Sequence, residues 1–170
     1  PYLAALANND LVSLTYPLTV NSTVQPITAA TPHGWRVYRR SISFLLSKAV
    51  RDVYAGAEFS IEHSFGAGLF CNFALDGHQG IDEAALARIE ERMRELVTQN
   101  RPIGRRKIGF TDAVREFETC NMAEKLNLLR YRNPPRVVVH WCDGFCDLAH
   151  GPLVPETGLL EHFRLIPYPP

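Results

Sequence analysis

The chain has no excess of either charge. Its 18 Lys and Arg balance 18 Asp and Glu, so no global field draws it to nucleic acid or to an anionic membrane. No apolar run approaches the length of a membrane span, and no signal peptide opens the sequence, so a membrane protein is not expected. Four cysteines in 170 residues are too few for a disulfide scaffold; reduced thiols in a cytoplasmic protein are the expected state. Internal repeats and low-complexity runs are lacking. No G-x-x-x-x-G-K-[ST] occurs, so these residues cannot themselves carry out P-loop phosphoryl transfer. Phe65-Gly66-Ala67-Gly68 has two glycines without that spacing or its lysine, and is expected to be a turn.

What remains is a chain of ordinary apolar and charged content, long enough for one domain with a tail. Residues 1–38 are poor in charge and rich in Thr, Asn, Ala and Pro, and are expected to be the end of a small β-rich unit plus a linker. Strands are predicted over 10–16 and 20–27 by alternation. Pro1 in place of Met, and the closing Pro167-Tyr168-Pro169-Pro170, suggest two cuts from a longer polypeptide.

From residue 39 onward the signals are stronger. Ile42, Leu45, Leu46, Ala49, Val50 and Val53 make an apolar stripe at helical spacing, with Ser41 as expected cap and Gly56 as the stop. Strands are predicted over 58–63 and 69–75. A second helix is expected from Asp82, with Leu86, Ile89, Met93 and Leu96 inward and Glu90 pairing with Arg94. A strand over 105–110 follows, then two short helices capped by Thr111 and Asn121, the second with Glu124 in capping-box register and ended by Asn133-Pro134-Pro135. Asp143-Gly144 is a hairpin signal between strands over 136–141 and 145–149. Helices and hairpins intermix without a βαβ rhythm, so the expected class is α+β, an antiparallel sheet covered by helices.

One stretch is more specific. Asp147-Leu148-Ala149-His150-Gly151-Pro152-Leu153-Val154-Pro155-Glu156-Thr157, followed by Phe163-Arg164-Leu165, resembles D-x-C-R-G-P-H-V-P-x-T and F-K-L. That pattern closes the editing site in the second domain of threonyl-tRNA synthetases, where its Cys and second His are the reactive, metal-competent pair. Here those positions are Ala149 and Leu153. The family's first helix carries H-x-x-x-H, which registers on Phe44-Leu45-Leu46-Ser47-Lys48, so its two His positions become Phe44 and Lys48. Its I-G-P-x-I-x-x-G-F-Y-Y-D segment is followed loosely by residues 60–72, and a lysine before its last hairpin matches Lys125. The resemblance spans residues 39–165 and implies an editing-like α+β domain over 39–170. A small ubiquitin-like domain precedes that domain in the family, which fits residues 1–38.

The substitutions decide the chemistry. Two His at i and i+4 share a helix face, and a Cys and His from a neighbouring segment complete a site for a metal or a hydrolytic water. Phe, Ala and Leu cannot coordinate or accept a proton, and lysine near neutral pH is a donor. No catalytic residue, metal or cofactor is therefore expected in this segment. His140, Cys142, Cys146 and His150 have tempting spacing for a metal. With a two-residue loop, however, Cys142 pairs with Phe145 and Cys146 with Trp141, which sets the thiols on opposite faces.

The same register puts His140 opposite Asp147, where a carboxylate would favour the charged imidazole. One reading is a vestigial pocket of His140, Asp147 and Lys125, with His63, Lys48 and His150 as further candidates, binding a nucleotide or other small anion. The other is a half-buried polar pair that satisfies itself. Basic clusters at Arg36 to Arg40, Arg101 to Lys107 and Tyr131-Arg132 could meet RNA phosphates, but acidic segments offset them and RNA binding is not expected.

With its editing ligands replaced, the pattern most resembles the N-terminal part of bacterial uridine-kinase-like proteins. There an editing-like domain joins a P-loop kinase domain, which would be this segment's partner within its own polypeptide. The function this implies is a non-catalytic accessory or ligand-sensing domain of a protein that, as a whole, is an ATP-dependent nucleoside kinase. The alternatives are a free-standing aminoacyl-tRNA deacylase using His140, His63 or His150 as base, and a purely structural domain.

Overall fold

Leu3-Ala4-Ala5-Leu6-Ala7 forms a largely buried strand that the alternation of the following residues does not announce. The computed structural model describes residues 1–120, 122–131 and 135–168, without the side chains of residues 123, 124 and 128. The expected capping roles of Asn121 and of the Glu124 side chain, the Arg132 contribution to a basic cluster and the Asn133-Pro134 stop lie outside the described residues. Strand β1 (Tyr2–Ala7) is central in a small sheet, antiparallel to β2 (Asp10–Val12) and β3 (Val24–Thr28). Asn8 and Asn9, both at positive φ, turn the chain from β1 to β2, since short amide side chains tolerate the left-handed region. The strand predicted over 10–16 stops at Val12, and that over 20–27 begins only at Val24.

Helix α1 (Pro32–Val53) starts earlier than its apolar stripe suggests. Thr31 is the cap, its hydroxyl accepting from the Gly34 N–H at 3.1 Å, and Pro32 pre-sets the first turn. Residues 32–38, expected to be linker, are therefore its first two turns. Ser41 is not a cap but a buried mid-helix residue. Gly34 is required by close packing, because a Cβ there would lie 1.9 Å from the Thr28 carbonyl oxygen at the end of β3.

Beyond α1 the predicted order holds closely. Strands β4 (Glu58–Phe65) and β5 (Gly68–Leu75) form a hairpin closed by Gly66-Ala67, extended by a short β6 (His78–Gln79). Helix α2 (Glu83–Thr98) is capped by Asp82, whose carboxylate accepts from the Ala85 N–H, and it buries Ile89, Met93 and Leu96. Strand β7 (Gly104–Gly109) leads straight into α3 (Phe110–Thr119), so Thr111 lies inside the first turn and Gly109 holds the cap position. Then come α4 (Ala123–Arg130), β8 (Arg136–Cys142) and β9 (Phe145–Leu148).

The class is α+β, as expected, and among the described residues every strand pairing is antiparallel. Among the described residues the strands form three sheets of three rather than one, ordered β2-β1-β3, β4-β5-β6 and β7-β8-β9. Helix α1 joins them into one core: Val37, Leu45 and Ala49 are fully buried in the same cluster as Leu3, Met93, Phe117 and Val139. No helix among the described residues is long and apolar enough to cross a membrane.

Candidate functional site

The β8–β9 hairpin has the register that its Asp143-Gly144 loop predicts. Cys142 pairs with Phe145, Trp141 with Cys146 and His140 with Asp147, and both loop residues have positive φ. Cys142 and Cys146 accordingly point to opposite faces. The face carrying His140 and Cys142 meets α1. There the Phe44 ring stands edge-on to Phe145, with centroids 5.2 Å apart.

Two polar contacts fix the following loop against the same helix. The Arg40 guanidinium donates from Nη1 to the Pro152 carbonyl at 3.0 Å. The Ser41 hydroxyl accepts from the Val154 N–H at 3.0 Å while donating to the Val37 carbonyl at 2.8 Å. Leu153, held between these anchors, is 2% exposed. Gly151 has φ near 112°, and a Cβ there would strike the Arg40 guanidinium at 2.6 Å. The G-P-x-V part of the motif is thus an architectural clamp. Its Phe163-Arg164-Leu165 end is architectural too: Arg94 lies over the Phe163 ring at 4.8 Å, and the Leu165 N–H donates to the Glu90 carboxylate at 2.9 Å.

Lys48 lies on the helix face of Arg40 and Phe44 and is 2% exposed, so it does not reach outward into a cleft. Its ammonium donates to Asp52 Oδ1 at 3.1 Å, one turn along. Asp52 Oδ2 in turn accepts from Nε and Nη2 of Arg92 on α2, at 3.0 and 2.9 Å. This Lys48–Asp52–Arg92 chain ties α1 to α2. Sequence reasoning missed Asp52 and Arg92, although the i, i+4 spacing of Lys48 and Asp52 is visible in the sequence.

His140 and Asp147 are register partners but do not bond to each other. Asp147 Oδ1 instead accepts from its neighbour Leu148 N–H at 2.6 Å and from Lys125 Nζ at 2.9 Å. His140 is 1% exposed, and neither ring nitrogen has a hydrogen-bond partner among the described residues. Burial, reinforced by the nearby Arg105 and Arg40 guanidinium charges, pushes its imidazole down to about 4. The expectation that Asp147 would hold the imidazole charged is therefore corrected: the carboxylate is taken by Lys125, and His140 is neutral at pH 7. Arg105 comes from the β7 position opposite His140, a neighbour visible only once the β7–β8 register is known.

The remaining candidates do not join this cluster. His63 lies exposed on β4 with its ring stacked on Phe70, in a different sheet from His140. His150 is exposed in the bend after β9. The structure thus brings Lys125 and Asp147 together, sets His140 apart behind them and leaves His63 and His150 outside. Several basic side chains of the expected clusters are committed internally. Arg39 donates to Ser64 and to the Gly68 carbonyl, Arg101 pairs with Asp143, and Arg106 stacks on Trp141.

These features define an α+β domain in which the loop after β9 is clamped to α1 by Arg40 and Ser41, with Phe44 and Leu153 buried and the Lys48 ammonium paired with Asp52. The comparisons with known proteins find similarity to threonine–tRNA ligases. The chain is similar to the threonine–tRNA ligase of Syntrophotalea carbinolica, 30% identical over 164 residues, which cover 96% of this chain and 26% of that protein. It is 31% identical over 163 residues to that of Rubrobacter xylanophilus, covering 96% of this chain and 25% of the ligase. To that of Pelodictyon phaeoclathratiforme it is 32% identical over 162 residues, covering 94% and 24%. The chain spans about a quarter of the length of the curated relatives it matches. No protein-family model matches it.

Proposed function

We propose that this chain is a non-catalytic accessory or ligand-sensing domain in which editing-type hydrolysis has been lost. In this reading it is the N-terminal part of a uridine- or nucleoside-kinase-like protein whose P-loop kinase domain is its partner within the polypeptide. The observation that carries the loss of chemistry is the fate of the four positions that hold the reactive groups in the resembled site. Phe44 and Leu153 are buried apolar side chains, Ala149 has no polar atom beyond its backbone, and Lys48 spends its ammonium on Asp52. A deacylase would need a reachable base. Of the three imidazoles named for that role, His140 is buried to 1% exposure and His63 lies in a different sheet, which leaves the exposed His150 in the bend after β9 as the base that alternative would have to use.

The kinase context is supported by the replacement of all four groups together with retention of the clamp, the combination that sets the chain apart from a working editing site. The sensing role is supported by the Lys125–Asp147 pair, with Arg105 and Arg40 near His140, a local excess of positive charge suited to phosphate. Calorimetric titration of the chain with uridine 5′-triphosphate, and with inorganic phosphate, tests it. Binding of the nucleotide that falls at least about tenfold in Lys125→Ala, the loss of one charge-assisted contact, is expected. No binding of either probe would remove the sensing role. A parent gene lacking a Walker-type loop downstream would remove the kinase context.

A further inference from the structure

Cys120 and Cys146 are 26 residues apart in sequence, Cys120 just past the C-terminal end of α3 and Cys146 in β9, yet their sulfurs lie 2.9 Å apart. The Cys146 thiol donates to Cys120 Sγ, and the Cys120 thiol in turn faces the Gly144 carbonyl at 3.7 Å. The Cys120 carbonyl accepts from Arg51 Nη2 at 3.0 Å, which holds this residue over the hairpin turn from the α1 side. Cys146 is buried, whereas Cys120 is half-buried and lines a shallow pocket of about 170 Å³ with Arg51, Asp52, Asp143, Gly144 and Phe145. A disulfide brings two sulfurs to about 2.05 Å, so less than about 1 Å of further approach is needed. Neither other cysteine is placed to compete: Cys142 points to the opposite face of the hairpin and Cys71 lies on β5.

We propose that Cys120 and Cys146 form a reversible redox pair, oxidised to an intrachain disulfide by a peroxide that reaches Cys120 through this pocket. The Cys120 thiolate attacks one peroxide oxygen and the O–O bond breaks. Cys120 becomes a sulfenic acid, and the other oxygen leaves as water or an alcohol. The Cys146 sulfur then attacks the Cys120 sulfur, forming the S–S bond and expelling hydroxide, which departs as water with the Cys146 proton. In sum, two thiols and one peroxide give a disulfide, one water, and one further water or alcohol. Burial and the contact with Cys120 push the Cys146 thiol far above its ordinary range, which leaves the more accessible Cys120 to meet the oxidant and Cys146 to resolve it. A dithiol reductant reverses the reaction by exchange. The residue after Cys146 is Asp147, so the bond fastens the hairpin to the α3–α4 junction beside the Lys125–Asp147 ion pair. This inference does not depend on the nucleotide-sensing role.

The test treats the chain with hydrogen peroxide, blocks remaining thiols with N-ethylmaleimide after denaturation, and maps tryptic peptides. The expected result is a fall from four reactive thiols to two, a cross-linked peptide pair containing Cys120 and Cys146, and full recovery with dithiothreitol. Cys71→Ser and Cys142→Ser should still form the bond, whereas Cys120→Ser, at a half-buried position that tolerates the change, should keep its three thiols. Persistence of all four thiols at a peroxide level that oxidises free cysteine would overturn the proposal. So would a disulfide between other cysteines, or between two chains.

Discussion

Acidification from pH 7 to pH 4 should remove about 3 kcal/mol of folding stability through His140 alone, and His140→Leu should abolish that component. The folded imidazole titrates at about 4, against 6.5 for an unperturbed histidine. Between those values the unfolded chain holds more protons than the folded one, so stability rises with pH across the window. The contribution is complete above pH 6.5 and is lost as the pH falls toward the folded value. A tenfold change in proton affinity between the two states is worth about 1.4 kcal/mol. Burial of the ring is the main reason it stays neutral. Arg105 on β7 and Arg40 on α1 add to this by repelling a further positive charge, while Asp147 on β9, the carboxylate that could offset them, is bonded to Lys125 of α4. Urea unfolding at pH 7 and pH 4 reads the effect. Carboxylates titrating at low pH contribute to both proteins, so the difference between their profiles isolates His140. Parallel profiles would mean that the imidazole is not held neutral by its surroundings.

Asp52→Ala is expected to cost about 3 kcal/mol, while Lys48→Met should lie within about 1 kcal/mol of the wild type or slightly above it. The asymmetry follows from where each charge sits. Lys48 is 2% exposed, so removing Asp52 strands an ammonium in the interior, and breaking a buried pair from one side costs about 3–5 kcal/mol. The lower end applies because Asp52 is 24% exposed and its removal admits water. Removing Lys48 instead replaces a desolvated charge with apolar volume on the face of α1 that carries Phe44, and leaves Asp52 paired with Arg92. Guanidinium unfolding of both variants reads the contrast. Equal losses would show that the ammonium is a net stabiliser, which would weaken the view that it occupies this position as filling.

Most of this architecture is legible in the sequence where periodicity and turn chemistry coincide. Asp143-Gly144 sets the hairpin register residue by residue, Asp82 caps α2, and the Gly66-Ala67 turn joins two strands. Periodicity misplaces the start of α1 because its first two turns, residues 32–38, carry His33, Gly34, Trp35 and Arg36 in place of an apolar stripe. The signal is nevertheless present as Thr31-Pro32, a cap followed by a helix-opening proline. Strand β1 escapes because five consecutive small or apolar residues show no alternation. At the site, the motif marks the loop that is clamped to α1, and the residues standing at the positions of the resembled Cys and His can be read directly from the sequence. The partner of Asp147 cannot. Cross-strand register puts His140 opposite it, but Lys125 reaches it from another element, and only tertiary packing decides between the two. The Cys120–Cys146 contact is hidden for the same reason.

The most direct measurement of the central claim is the rate at which the ester bond of seryl-tRNA hydrolyses with and without this chain, in buffer with and without added zinc. The predicted result is the same rate in all four conditions, since hydrocarbon and a paired ammonium stand where the reactive groups would be. Faster hydrolysis with the chain present, or zinc bound stoichiometrically between α1 and the Gly151-Pro152 loop, would contradict it.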